Sequence, residues 1–511
     1  MDRLDAVSSL KYFVPELVLV LTLMGVLVCD LISKNRATWE RRLVIVLPSL
    51  FGLLVALFFS VFIYFSQKGP DPSDAQALFS NMVAFDGFGS LLRILFIFTA
   101  IIILLFTIES RELRSVHHGE LLVLLLTVTV ALIWMANSIN LLMIYLALET
   151  VSVASYIMVG YLKTDRLSNE ASLKYILFGA VSTGTMLFGL SLLYGLTGSL
   201  DLYEIRAALT SEQVVASSGP ALMVIIVLVL AGIGFKMATV PSHFWCPDVY
   251  SGAPTPVTAF LSVGPKVAGF AVLVRFFYGG MALSTGEQTW TMVGSVDWQT
   301  ILMGISIITM TLGNIAALLQ TNLKRLFAYS SIAHAGYIMM GAVALSDRGI
   351  KAMLAYVIVY LFMNLGAFLV IIVVHNSTGS FDIKDYAGIW RRSPILTIVM
   401  GIFLFSLMGI PPFAGFLAKW YVFAAVIRAG LVWLAVIGVL NSAIGAFYYV
   451  KILKTMFMEG SDTAEPSSKL ELHPLYAVLL FVLVVPNIIG LLLWGYLDRV
   501  TEYSHKLLDV M

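Results

Sequence analysis

The segment "MGIPPFAGFLAK", residues 408–419, breaks a long apolar run with glycine and two prolines and then ends on a lysine. A second run closes in a similar way. "AGIGFK", 231–236, ends on Lys236 and leads into the Pro- and Gly-rich "VPSHFWCPDVYSGAPTP" (240–256). Proline lacks the backbone donor and clashes with the preceding turn, so both helices are predicted to break. Broken backbone at membrane depth is tolerated only inside protein or against water. Lys236 and Lys419 are therefore predicted to face an internal hydrated cavity, with snorkelling to the interface as the alternative.

That argument requires a membrane, and the composition supplies one. The 511 residues are 59% hydrophobic and 12% charged, about half the charged fraction of soluble domains. The net charge of +1 gives no reason to expect nucleic acid. A crossing helix needs about 20 apolar residues. Such runs fall at 12–31, 42–65, 87–108, 120–136, 139–161, 171–196, 219–240, 254–278, 299–320, 326–345, 352–375, 395–428, 431–456 and 474–496, fourteen in all. The first follows "MDRLDAVSSLKYF" and reads as a spanning helix rather than a cleaved signal. Cys29 and Cys246 form no CxxC pair and read as packing residues.

Loop cations orient the spans. Sixteen lie on one side: Lys34, Arg36, Arg41, Arg42, Arg111, Arg114, Lys163, Arg166, Lys324, Arg325, Lys384, Arg391, Arg392, Lys451, Lys454 and Lys469. Ten lie on the other with both termini: Arg3, Lys11, Lys68, Arg206, Arg275, Arg348, Lys351, Arg428, Arg499 and Lys506. Both termini are expected on the outer side, although Arg348 and Lys351 run against the rule. Five cations remain inside spans: Arg93, Lys174, Lys236, Lys266 and Lys419. Arg93, one turn into its helix, is expected to snorkel. Lys266 sits mid-span beside Gly264-Pro265, a weak point that frees a carbonyl.

The chain repeats itself. "ASLKYILF" (171–178) matches "AMLAYVIV" (352–359) at an offset of 181, and "SYIMVGY" (155–161) matches "GYIMMGA" (336–342) at the same offset. The two lysine segments match at 183. The repeated unit covers spans four to eight and nine to thirteen; five is odd, so the copies must cross in opposite senses, a transporter signature. The expected organisation is a three-helix segment (1–118), a first five-helix repeat (119–278), a second, inverted one (299–456), and a C-terminal helix and tail (474–511). The fold class is all-α, with about 14 transmembrane helices and broken helices 7 and 12.

Other ionisable groups complete the pattern. Glu149, within "NLLMIYLALETVSVASYIMVGY", is a buried carboxylate. Burial disfavours its charged form, and a neighbouring lysine restores it. Such a pair is a poised proton donor and acceptor, or else a structural ion pair. His334, in "SSIAHAGYIMM", suits a relay or a hydrogen-bonded core. Lys174 lines the cavity or snorkels. Glu120 opens its span as a proton-uptake group or as a favourable N-terminal charge. The sequence lacks GxxxxGK[ST], a GxGxxG after a strand, cysteine clusters for iron–sulfur ligation and paired histidines within spans for haem; His117 and His118 lie in a loop.

"GFKMATVPSHFWCPDVYSGAPTPVTAFLSVGPK" (234–266), "NLKRLFAYSSIAHAGY" (322–337) and "GIPPFAGFLAKWYVF" (409–423) together resemble the subunit N family of respiratory complex I, the proton-translocating NADH:quinone oxidoreductase. The resemblance runs from the first span to the last. Lysine rather than glutamate at 419 separates the chain from subunit M. The expected lack of a long lateral helix after span fourteen separates it from subunit L. The resemblance implies an antiporter-like module with one proton channel and no cofactor of its own. Glu149 would pair with and tune Lys236, Lys266 would be the central relay, and Lys419 would exchange protons towards the outer side. Lys174 and His334 would match polar positions on the same axis. NADH, FMN, iron–sulfur clusters and quinone would belong to partner subunits, and the partners to sister antiporter-like and small membrane subunits. The location would be a bacterial-type inner membrane or an equivalent energy-transducing one. A subunit of a stand-alone Mrp-type cation/proton antiporter is the alternative. A spacer with a dead channel is a third reading, opposed by roughly 10 kcal/mol of buried charge it would retain for nothing.

Overall fold

A computed structural model describes residues 6–33, 38–66, 76–113, 118–286, 288–460, 470 and 472–505. Arg3, Lys34, Arg36, Lys68, Arg114, Lys469 and Lys506 of the charge tally, and His117, lie outside these residues. The long helices are α1 (Val14–Ile32), α2 (Thr38–Ser66), α3 (Gly87–Glu109), α4 (His118–Asn137), α5 (Leu141–Val159) and α6 (Arg166–Thr197). After them come α7 (Glu212–Met237), the short α8 (Trp245–Gly252), α9 (Thr255–Val274), α10 (Trp298–Leu318), α11 (Leu323–Val343) and α12 (Asp347–Thr378). The chain ends with α13 (Pro394–Met408), α14 (Ala414–Arg428), α15 (Val432–Met458), α16 (Pro474–Ile489) and α17 (Trp494–His505).

Among the described residues, 12 helices are long and apolar enough to cross a membrane alone. Helices α13 and α14, 15 residues each, are too short to do so. The count approaches fourteen when they are taken as one interrupted crossing and α16 with α17 as another. Span fourteen does not run straight from 474 to 496. The helix carries Pro486 in its last turn and stops at Ile489; the chain then bends by 92° into α17.

Loops assigned to one side meet one another. On one face, Ser9 Oγ accepts from Phe79 N at 3.1 Å and Tyr64 donates to Val500 O at 3.1 Å. There, too, Asn81 donates to Asp201 at 2.9 Å. On the opposite face Thr255 N donates to Glu112 at 2.8 Å, and Arg111 N donates to Asn376 at 2.9 Å.

The same corner is built once at each face. Helices α6 and α12 are both 32 residues long and end on a left-handed glycine, Gly198 (φ 73°) and Gly379 (φ 71°). The following serines, Ser199 and Ser380, donate to Glu204 (2.6 Å) and Asp385 (2.5 Å). Asn140 bridges to Asp201 just as Asn322 bridges to Asp382. These segments, "TGSLDLYE" (197–204) and "TGSFDIKD" (378–385), also lie 181 positions apart.

Both expected breaks are present. Helix α7 ends on Ala238 in the left-handed region (φ 57°), and α13 ends on Gly409 (φ 80°). The two lysines are not equivalent, however. Lys236 is in the last turn before its break, whereas Lys419 follows its break by about a turn and a half. The offset of 183 therefore aligns opposite banks of the two interruptions, and the left-handed caps are what correspond.

Three cations are corrected. Arg93 does not snorkel; it is 3% exposed and pairs at 2.9 Å with the wholly buried Glu16. Arg275, assigned to a loop, is buried in a bidentate pair with Asp86 at 2.5 and 2.9 Å. Lys324 is buried and donates to Ala253 O at 2.5 Å. Each trades exposure for an internal partner, as a charge removed from water must.

Close packing holds the second break. A Cβ on Gly415 would lie 1.8 Å from the carbonyl oxygen of Ser406, so α14 approaches the end of α13 only because residue 415 has no side chain. We expect Gly415→Ala to force these helices apart at a cost of about 1–3 kcal/mol or more. A lower melting midpoint of the detergent-solubilised protein would show it, and an unchanged midpoint would refute the packing argument.

Candidate functional site

Helix α9 is buried along its whole length. Pro265 offers no amide to the fourth residue back, so the carbonyl of Leu261 is left without a helical donor. Lys266 follows, and its Nζ donates to Ser331 Oγ on α11 at 2.6 Å. The Sγ of Cys246 on α8 lies 3.9 Å away, and the ring of Tyr250 lies 5.4 Å below. Ser331 also accepts from Tyr360 on α12 at 2.8 Å. Lys266, Ser331 and Tyr360 border a cavity of about 10 Å³ open to water centres, the space of about one water.

Three residues beyond Ser331, on the same face of α11, stands His334. Its Nδ1 is 2.9 Å from the hydroxyl of Tyr356, and its Nε2 is 3.2 Å from that of Tyr449. Tyr449 is also hydrogen-bonded to Ser330. Past the histidine, Asn314 donates to Tyr337 at 2.9 Å and accepts from Tyr448 at 3.1 Å.

Lys419 closes the row. Its Nζ donates to the carbonyl of Met408, the last residue of α13, and to Ser442 Oγ on α15, both at 2.8 Å. It lies 4.9 Å from the ring of Tyr337. The lysine thus satisfies an end carbonyl of the helix across the break, one of the groups that a helix terminus leaves unpaired.

At the other end, Lys236 is buried and, among the described residues, its Nζ has no hydrogen-bond partner. Glu149 is half-buried on α5 and makes no ion pair with it. The break beyond Lys236 is held by Thr239 N on Gly234 O (2.9 Å) and by Val240 N on Thr309 Oγ1 (3.0 Å). Trp245 Nε1 donates to Phe235 O at 3.0 Å and ties α8 back to α7.

Lys236, Lys266, His334 and Lys419 are therefore buried within one helix bundle, and His334 stands within electrostatic range of both Lys266 and Lys419. Two of the singled-out residues stand apart. Lys174 is 38% exposed and pairs with Glu170 (2.9 Å) and Asp248 (2.7 Å). Asp248 also holds Arg325 at 2.6 Å. Glu120 is exposed in the first turn of α4.

The serines, tyrosines and asparagine that join the charged groups went unread in the sequence. A partial signal existed. Ser331 and His334 are polar at helical spacing in an apolar run, and "YVIVY" puts Tyr356 and Tyr360 on one face. Cys246 is more than packing, since its sulfur touches the central lysine. Among the described residues, no group of three or more His, Cys, Asp or Glu side chains could hold a metal ion.

Comparison with known proteins accords with this architecture. Residues 138–445 match the family described as NADH:quinone oxidoreductase/Mrp antiporter, transmembrane. NADH-quinone oxidoreductase subunit N of Anaeromyxobacter sp. (strain Fw109-5) is 43% identical, with 98% of each chain covered. NADH-quinone oxidoreductase subunit N 2 of Sorangium cellulosum (strain So ce56) is 41% identical, with 96% of each covered. Among solved structures, a chain of respiratory complex I from Thermus thermophilus with bound aureothin superposes with a TM-score of 0.73 at 27% identity, covering 94% of this chain and 98% of that one. With the family model matched over more than half its length and full-length relatives above 40% identity, the chain belongs to the NADH:quinone oxidoreductase/Mrp antiporter family, on its subunit N branch.

Proposed function

We propose that the chain is a membrane-arm subunit of complex I that moves protons and carries no redox centre, in contact with sister antiporter-like and small membrane subunits. The observation that carries this reading is the buried row of Lys236, Lys266, His334 and Lys419, with a hydroxyl group on each of the last three and with Lys236 and Lys419 set at two helix breaks. Charged and titratable groups so far from water are costly and earn their place by exchanging protons.

Protons enter near Glu149 and Lys236, the carboxylate setting the charge balance of a lysine that has no hydrogen-bond partner among the described residues. Lys266 passes them through Ser331 and the adjoining one-water cavity to the Tyr360 and His334 cluster. Lys419 delivers them at the second break. Lys174 and Glu120 act at the rim of this path, Lys174 by holding Asp248 and so α8, Glu120 as an uptake group. The matching corners at opposite faces support reading the two five-helix units as an inverted repeat. Loop charge supports placing both termini on the outer side. NADH, FMN, iron–sulfur clusters and quinone are held by partner subunits, whose electron transfer drives the path.

Tagging the chain, extracting it in mild detergent and assaying its companions tests the assignment. We expect NADH:quinone reductase activity and iron–sulfur signal to co-purify. Hydrophobic partners without a redox centre would transfer the assignment to an ion-gradient antiporter.

A further inference from the structure

Arg348 and Lys351 oppose the charge asymmetry of the loops, and the proton path does not use them. We propose that Arg348 and Arg428, in a pocket whose wall Lys351 helps to build, form a binding site for the phosphodiester of an anionic membrane lipid whose head group bears hydroxyls.

The three cations line a pocket of about 330 Å³ together with Trp420, Tyr421 and Asp498, a volume within the range of small-ligand sites, about 300–1,000 Å³. Arg348 lies in the first turn of α12, capped by Ser346, and Lys351 begins the second. Helix N-termini disfavour cations and welcome anions. A cation there is repelled by the helix until an anion joins it, so Arg348 and the helix end recruit the same ligand. Arg428 reaches the pocket from the last turn of α14. Arg348 and Arg428 are exposed, and among the described residues neither has a carboxylate within ion-pair distance.

Lys351 is already engaged. It is hydrogen-bonded to Glu502 and lies 3.6 Å from Asp498, both on α17. The two guanidiniums are thus left to hold the phosphate, and arginine's planar fork suits that geometry. Asp498 on the pocket wall would repel a bare phosphate but accept hydrogen bonds from head-group hydroxyls. Aromatic and apolar side chains complete the lining. Trp420 is 58% exposed, Tyr421 packs on Trp494 with ring centroids 4.6 Å apart, and Ala424 and Ala425 lie beside them. Aromatic residues of this kind mark the membrane–water boundary.

The test uses the assembled complex, delipidated by detergent exchange and titrated with phosphatidylglycerol or phosphatidylcholine in mixed micelles. Quenching by brominated acyl chains, taken as the difference between the parent complex and Trp420→Phe, reports occupancy at the pocket. Phosphatidylglycerol is expected to saturate this signal. Arg348→Gln with Arg428→Gln should weaken it roughly thirty-fold, the expectation for removing two cations near an anionic lipid. Arg428→Lys should retain most of the binding, NADH:quinone activity should stay unchanged, and phosphatidylcholine should not saturate. Equal affinity in the double variant would overturn the proposal. So would displacement of the lipid by millimolar inorganic phosphate, which would mark a soluble-anion site. Loss of a neighbouring subunit with unchanged lipid content would also overturn it, by showing that the pocket seats protein.

Discussion

Lys266→Ala is expected to leave NADH:quinone electron transfer running while proton movement through this subunit slows by about 10²- to 10⁴-fold, the usual loss when a positioned proton donor is removed. The reason is geometric. Lys266 is the group on α9 that joins α8 to α11, at 3.9 Å from Cys246 and 2.6 Å from Ser331. An alanine leaves no group there to carry a charge between the two halves of the row. Misfolding is not the expected cause, because a lysine at mid-membrane costs about 2.5–3.5 kcal/mol on insertion scales and its removal relieves that cost. Ser331 keeps its bond from Tyr360. Lys266→Arg sharpens the test, since arginine keeps the charge but does not release a proton; it should conduct as poorly as alanine. Protons pumped per two electrons, measured in proteoliposomes, is the readout. An unaltered ratio in Lys266→Ala would leave the subunit as a spacer and end the channel assignment.

The second large effect concerns stability, at a pair remote from the proton path. Arg275 donates to both carboxylate oxygens of Asp86 and to the carbonyl of Ala136 at 2.9 Å. Asp86 in turn caps α3 by accepting from Gly89 N at 2.8 Å. One guanidinium thereby joins the ends of α3, α4 and α9. Arg275→Ala strands the carboxylate in a dry site, and breaking a buried pair from one side costs about 3–5 kcal/mol. We expect the subunit to be lost from the assembled complex, or to melt well below the parent. Arg275→Met with Asp86→Asn removes both charges and keeps the cap acceptor, and should recover most of the loss. If the double variant is no better than Arg275→Ala, the unpaired charge is not the cause.

These two sites also show how far the sequence could be read. A lysine beside Gly264-Pro265 in an apolar run is legible because the membrane makes every charge conspicuous, and the breaks at 238–244 and 409–413 are legible because proline and glycine are local signals. Arg275 was misread as a loop cation, and Arg93 as a snorkelling one. Their carboxylate partners, Asp86 and Glu16, lie 189 and 77 positions away, and nothing local announces such pairing. Lys174 keeps its place within a span, but its ion pair with Asp248 is equally silent in the local sequence. The match of Lys236 with Lys419 was compositional, since both segments end in lysine after small residues. The left-handed caps Ala238 and Gly409 reveal that the two lysines stand on opposite banks of their breaks.

The sequence alone determined the membrane class, most of the helices, the two interruptions and the family, because each is written in local hydropathy, in Pro and Gly placement, or in contiguous motifs. Only the tertiary structure decided which charged groups are partners and what lies between them. Ser331 with Tyr360, Tyr356 and Tyr449 with His334, and Asn314 with Tyr337 and Tyr448 became neighbouring hydrogen-bonded groups once α9, α10, α11, α12 and α15 were packed together. Hydrogen bonds reach about 3 Å, and groups that far apart in space were brought there from anywhere along the chain.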